Sequence, residues 1–301
     1  MFSIGVLYNQ MGCYKDAVET FIALTKIEPK NRNTWFNIGW STVKQGDFQT
    51  AITYYKKALE IDGNFEPAWS EIVTAYVVLG KYDEAISAAE KMIELFPANP
   101  SGWSKLASIY NNLAMYKDGL EVCKRAVAAV PEVSTLWNAL GWANYRLRNY
   151  KEAVEYASKA VAIDKNFKEA WDTIACGYFG LNEYELSFEN FKKALSIDPN
   201  IETYGTVDVY NFVNDVIDLR RTTDYSLEKL QKIALSLIAI YGNDGISLLK
   251  VANATKLPIK EVLSALEKSE NGKLETYDLN QPEAYVFFIK KSRVKHEAVG
   301  G

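Results

Sequence analysis

Apolar positions recur along this chain at two nested periods. Over short stretches they fall at helical spacing. Trp35, Ile38, Gly39 and Thr42 share one face of a first predicted helix, and Ala51, Tyr55 and Ala58 share one face of a second. Gln45-Gly46-Asp47 separates the two, at a glycine that ends a helix readily. The second period is 34 residues: Trp35, Trp69, Trp103, Trp137 and Trp171 stand one step apart. Tyr14, Phe48, Tyr82, Tyr116, Tyr150 and Tyr184 form an aromatic column on the same step. Ala17, Ala51, Ala85, Gly119, Ala153 and Ser187 form a small one, and Ile4, Ile38, Ile72, Leu106, Leu140 and Ile174 an aliphatic one. The register holds without insertion or deletion from Gly5 to Pro199.

A fixed period of this length predicts helix pairs stacked in a row, because one pair cannot bury its own apolar face. The small column lets two antiparallel helices approach, and the aromatics fill the space beside them. Pro29, Pro97, Pro131 and Pro199 mark the end of the second helix, with Gly63 and Lys165 in that place in the other two repeats.

These columns resemble the tetratricopeptide repeat, whose signature has W, L, G, Y, A, F, A and P at set places. Trp137-Asn138-Ala139-Leu140-Gly141 and Trp35-Phe36-Asn37-Ile38-Gly39 match its opening, and six copies span residues 1–200. Departures are apolar: Val73 replaces the glycine, Cys123 and Ala157 the large aromatic, and Leu24 and Met92 the second alanine. Met1 stands where repeat one should begin with tryptophan, so the first helix is expected to lack its opening turn. It is either a short cap or the continuation of a longer array.

The resemblance implies a right-handed superhelical solenoid with a concave groove lined by the first helix of each repeat. It also implies a protein-binding scaffold or adaptor that holds partner peptides or proteins. Carried over position by position, the groove residues are Asn37, Trp40 and Lys44 in repeat two and Ser70, Glu71 and Thr74 in repeat three. Repeat four gives Lys105, Ser108 and Asn112, repeat five Asn138, Trp142 and Arg146, and repeat six Asp172 and Cys176. Trp40 and Trp142 occupy equivalent places three repeats apart, outside the tryptophan ladder. Two readings are open for them: aromatic anchors for a bound peptide, or packing between neighbouring first helices. The carboxylate clamp of a chaperone-binding subfamily is missing. Asn37 matches one member of it, but Pro67, Glu71, Ser3 and Val6 occupy other clamp places. Lys44, Lys105 and Arg146 against Glu71 and Asp172 suggest a partner of mixed charge.

Residues 201–221 continue the helical period through Val209, Phe212, Val213 and Val216 and read as a capping helix. From Ser226 the pattern changes to helix, turn, short helix capped by Ser247, helix from Pro258, and two strands, 274–279 and 284–289. This order over residues 222–291 is similar to a small α+β winged helix-turn-helix domain, and 292–301 reads as a basic, disordered tail. A transcription regulator is therefore the alternative, with Lys260, Ser264 and Lys268 facing DNA. Glu261, Glu267 and Glu270 on the same face oppose phosphate contact. Over 201–301 there are 13 basic and 14 acidic side chains, which disfavours a DNA partner.

Composition narrows the rest. A net charge of −4 and 48% hydrophobic residues are ordinary for a soluble protein and give no general pull toward nucleic acid. Cys13, Cys123 and Cys176 stand too far apart for a zinc site or a disulfide framework and suit a reducing cytoplasm. Neither apolar run, 233–241 or 284–289, approaches the roughly 20 residues that a membrane span needs. The single histidine, His296, and the absence of phosphate-binding or nucleophile motifs predict no enzyme, catalytic residue, cofactor, metal or small-molecule substrate.

Overall fold

The computed structural model describes residues 1–198, 213–219, 229, 233, 246–247, 254–257, 272–276 and 285–289. Two compact units divide the chain, Met1–Leu147 and Arg148–Gly301.

The first unit holds nine helices: α1 (Phe2–Gln10), α2 (Tyr14–Thr25), α3 (Arg32–Lys44), α4 (Phe48–Ile61), α5 (Glu66–Val78), α6 (Tyr82–Leu95), α7 (Pro100–Asn112), α8 (Tyr116–Ala129) and α9 (Ser134–Arg146). Each packs on the next, and the first helices of successive repeats also touch, α1 on α3, α5 on α7 and α7 on α9. At the start of α3, Asn31 accepts from the backbone N–H of Asn33 at 3.1 Å; at the start of α7, Asn99 accepts from Ser101 N–H at 2.9 Å. Asp47 caps α4 by accepting from Thr50 N–H at 2.9 Å, and hydrogen bonding to Thr50 holds its carboxyl below the usual range. The turn inside each repeat passes through a left-handed residue. Gly46 lies at φ +87°, and Ala114 takes the equivalent conformation at +56° without glycine's freedom.

The small column is fully buried at Ala17, Ala51 and Ala85. Beside it the large rings close the core. A Cβ on Gly5 would meet the Phe21 ring at 2.6 Å, and one on Gly39 would meet the Tyr55 ring at 2.6 Å. Ala85→Leu is expected to overpack this contact and lower stability by about 1–3 kcal/mol, read as a fall in the melting midpoint.

The tryptophan ladder has a second cause beyond packing. Each indole N–H donates to the carbonyl six residues back, in the loop between repeats: Trp35 to Pro29 at 2.8 Å, Trp69 to Gly63 at 2.9 Å, Trp103 to Pro97 at 2.9 Å and Trp137 to Pro131 at 2.7 Å. Trp171 repeats the bond to Lys165 at 2.8 Å in the second unit. A carbonyl accepts whatever its side chain, so proline, glycine and lysine are equivalent there. Lys57 over Trp35 and Arg125 over Trp103, at 4.5 and 5.3 Å, cover the outer ring faces.

The second unit opens with α10 (Tyr150–Ile163), α11 (Lys168–Gly180) and α12 (Tyr184–Ile197). Residues 213–219 are helical, with Val213, Val216, Ile217 and Leu219 buried. Three strands form an antiparallel sheet in the order β1-β3-β2: β1 (Ile246–Ser247), β2 (Gly272–Thr276) and β3 (Tyr285–Ile289).

Four expectations need correcting. Ile4 is 50% exposed, whereas Ile38 and Ile72 in its column are buried, because nothing described lies against the outer face of α1. Asp172 and Cys176 are buried rather than open to a groove. Burial and then the charge of Asp172 push the Cys176 thiol well above its ordinary pKa. Ser247 lies in a strand, not at a helix start, and β2 begins at Gly272 instead of Leu274. Lys260, Ser264 and Lys268, expected to face DNA, and the tail 292–301 lie outside the described residues.

Candidate functional site

The residues predicted to face a partner fall into three groups. Asn37 and Trp40 line a cleft of about 260 Å³ between α1 and α3, together with Val6, Asn9 and Phe36. Trp40 meets the Tyr14 ring edge-on at 6.1 Å, and the Lys44 ammonium sits over its face at 4.9 Å. Asn37 donates to its own helix, at the Asn33 carbonyl, 2.8 Å away. Both Trp40 and Asn37 are half-buried and Lys44 is exposed, so the cleft carries an aromatic wall and a solvated cation.

The second group is an internal pair. Lys105 Nζ donates to Thr74 Oγ1 at 2.8 Å, which joins α7 to α5. Burial lowers the Lys105 pKa, and the carboxylates of Glu71 and Glu66 oppose that shift. These two side chains hold neighbouring first helices together, and either would have to exchange this bond to reach a partner.

The third group surrounds a cleft of about 200 Å³ enclosed by α7, α8 and α9. Ser108 and Trp142, both predicted from the sequence, line it. Trp142 Nε1 donates to Asn111 Oδ1 at 3.2 Å. The exposed Arg146 guanidinium lies 4.3 Å from the centroid of the Tyr116 ring and 5.7 Å from that of Trp142, and it donates to the Tyr116 hydroxyl. Asn112 is exposed on the last turn of α7. Asn138 is half-buried, and its Oδ1 has no hydrogen-bond partner among the described residues. Sequence reasoning missed Ser104, Asn111 and Thr135 in this cleft. It took Tyr116 and Cys123 as repeat columns, not as cleft walls. The ring-less pair Ser104 and Cys123 gave no distinguishing signal, because Ser70 with Ala89 and Asn138 with Ala157 share the pattern.

Among the described residues no group of three or more His, Cys, Asp or Glu side chains is placed to hold a metal. Cys123 forms part of the cleft floor, and burial pushes its thiol up to about 12, so it stays protonated at neutral pH.

Family models described as tetratricopeptide repeat match residues 4–64, 43–109, 134–167 and 168–201. The chain carries tetratricopeptide repeats. No curated protein matches it in sequence. Among solved structures, Pseudomonas aeruginosa pilF is 16% identical with a TM-score of 0.53, covering 70% of this chain and 91% of that one. Cut9–Hcn1, described as an APC/C hetero-tetramer, is 18% identical with a TM-score of 0.52, covering 70% of this chain and 42% of that one. YrrB, described as a tetratricopeptide-repeat protein with an unusual peptide-binding site, is 21% identical with a TM-score of 0.47, covering 61% and 94%. The likeness to pilF and Cut9–Hcn1 is one of fold. The repeat helices place both clefts between successive first helices, α1 and α3, α7 and α9.

Proposed function

We propose that this chain is a non-catalytic scaffold or adaptor of the cytoplasm that holds a protein or peptide partner along the concave face of its tetratricopeptide repeats. One observation carries the reading. Two clefts open between first helices, and each pairs a half-buried tryptophan with an exposed cation, Trp40 with Lys44 and Trp142 with Arg146. Aromatic and arginine side chains in such places carry much of the energy at protein interfaces. Asn37, Thr74, Lys105, Ser108, Asn112 and Asn138 complete the proposed surface. The three cysteines are free, which suits a reducing compartment. No described helix is long and apolar enough to cross a membrane. The test uses the whole chain as bait beside a Trp40→Ala, Lys44→Ala, Trp142→Ala, Arg146→Ala version. Partners captured by the first and lost by the second, at matched melting midpoints, support the reading. Identical partner sets would sink it.

Within this reading, the repeats occupy 1–200, a capping helix 201–221 and a winged-helix-like domain 222–291. The β1-β3-β2 antiparallel order favours the last assignment, because a wing formed by two strands adds to a short strand preceding it. The same domain raises the alternative of a DNA-binding regulator. Glu261, Glu267 and Glu270 outnumber Lys260 and Lys268 on the helix that would enter the groove, and like charge opposes counterion release. Fluorescence anisotropy of duplex DNA with the whole chain is expected to show weak binding or none at two salt concentrations. Tight, steeply salt-dependent binding lost on Lys260→Glu with Lys268→Glu would promote the regulator.

A further inference from the structure

The cleft between α7, α8 and α9 lies where two repeat columns carry no ring, as they also do at Ser70 with Ala89 and at Asn138 with Ala157. In repeat two, Phe36 and Tyr55 fill the equivalent space, with ring centroids 5.4 Å apart and Tyr55 fully buried. Two steps of 34 residues further on, these positions hold Ser104 and Cys123, and both line the cleft. Ala107 stands where repeat two has Gly39 and returns only a methyl group to the space. Where two rings pack in one repeat, the other keeps an opening of about 200 Å³.

The walls say what would enter it. Tyr116 and Trp142 offer ring surface, and the neutral Cys123 thiol behaves as a small apolar group. Ser108 and Thr135 line the cleft and are exposed, so it opens to solvent instead of enclosing a free small molecule. Arg146 lies over both ring walls, is exposed, and pairs with no acidic side chain among the described residues. A guanidinium held by stacking keeps its remaining donors directed at a carboxylate with little further loss of freedom.

We propose that this cleft receives one aromatic side chain from a partner protein's peptide segment, and that an Asp or Glu within two residues of it pairs with Arg146. The inference rests on the peptide-holding reading above and adds to it the chemistry of the segment. The aromatic fills the space that Phe36 and Tyr55 fill in repeat two. The carboxylate neutralises the cation at the rim.

A phage-displayed random peptide library selected on the whole chain tests it. Enriched peptides are expected to place Phe, Tyr or Trp within two residues of Asp or Glu. Synthetic versions should bind at least tenfold more weakly to Ser104→Phe with Cys123→Phe, which restores the aromatic pair of repeat two, and to Arg146→Glu. Cys123→Leu, a milder filling, is the second variant should the double one fail to fold, with circular dichroism melting as the check. Enriched peptides without the aromatic-acidic pairing, or bound equally by the filled cleft, overturn the inference. If such peptides are lost instead on Trp40→Ala, the groove reading stands while this one falls. No enrichment at all sinks both.

Discussion

Tyr55→Ala is expected to lower the stability of the repeats by about 3–5 kcal/mol, the range for truncating a buried aromatic. The ring is fully buried, rests on Gly39 where a Cβ would come within 2.6 Å, and meets Phe36 at 5.4 Å. Its loss leaves a cavity bounded by helix backbones that cannot close in. The hydroxyl is buried and has no hydrogen-bond partner among the described residues. Burial, with the charge of Glu71, raises its pKa, so the phenol stays neutral across the usual pH range. Tyr55→Phe should therefore be neutral or stabilising by up to about 1 kcal/mol, because it removes an unsatisfied polar group and keeps the ring. Urea titration of the two variants checks both signs. A large loss for Tyr55→Phe would mean that the hydroxyl has a partner in solution.

The helix pairs and their burial were legible because the 34-residue step repeats a simple apolar pattern. The sequence did not disclose why the ladder is tryptophan. The acceptor is a backbone carbonyl, and Pro29, Gly63 and Lys165 present it equally. A shared column does not guarantee shared burial. Ile4 has the place of Ile38 in its repeat, yet it is half-exposed. Asp172 and Cys176 hold groove places in the pattern, yet they are buried. Trp40 and Trp142 stand out in a single column. The cleft beside Trp142 does not: Ser104 and Cys123 lack rings in their columns, but so do Ser70 with Ala89 and Asn138 with Ala157, and only the packing of α7, α8 and α9 shows the opening.

Trp142→Ala should separate the two meanings of that side chain. If it anchors a partner, the affinity of a captured partner falls by about 2 kcal/mol or more, the range of an interface hot spot. The stability loss should be smaller than for Tyr55→Ala, because Trp142 is half-buried and Tyr55 is fully enclosed. Removing the indole also strips Asn111 Oδ1 of a donor and takes one of two rings from beneath Arg146, which keeps its stack on Tyr116. Trp142→Phe is the sharper control: it retains ring surface and the cation contact but loses the N–H to Asn111. Affinity should survive Trp142→Phe better than Trp142→Ala if the ring contacts the partner. A melting midpoint that falls for Trp142→Ala while affinity holds would assign the indole to packing between α7 and α9. Trp40→Ala gives the comparison at the other cleft, where the ring packs edge-on against Tyr14 and lies beneath Lys44. A partner spanning both clefts should lose affinity at each. Loss at Trp142 alone would confine the contact to the later repeats.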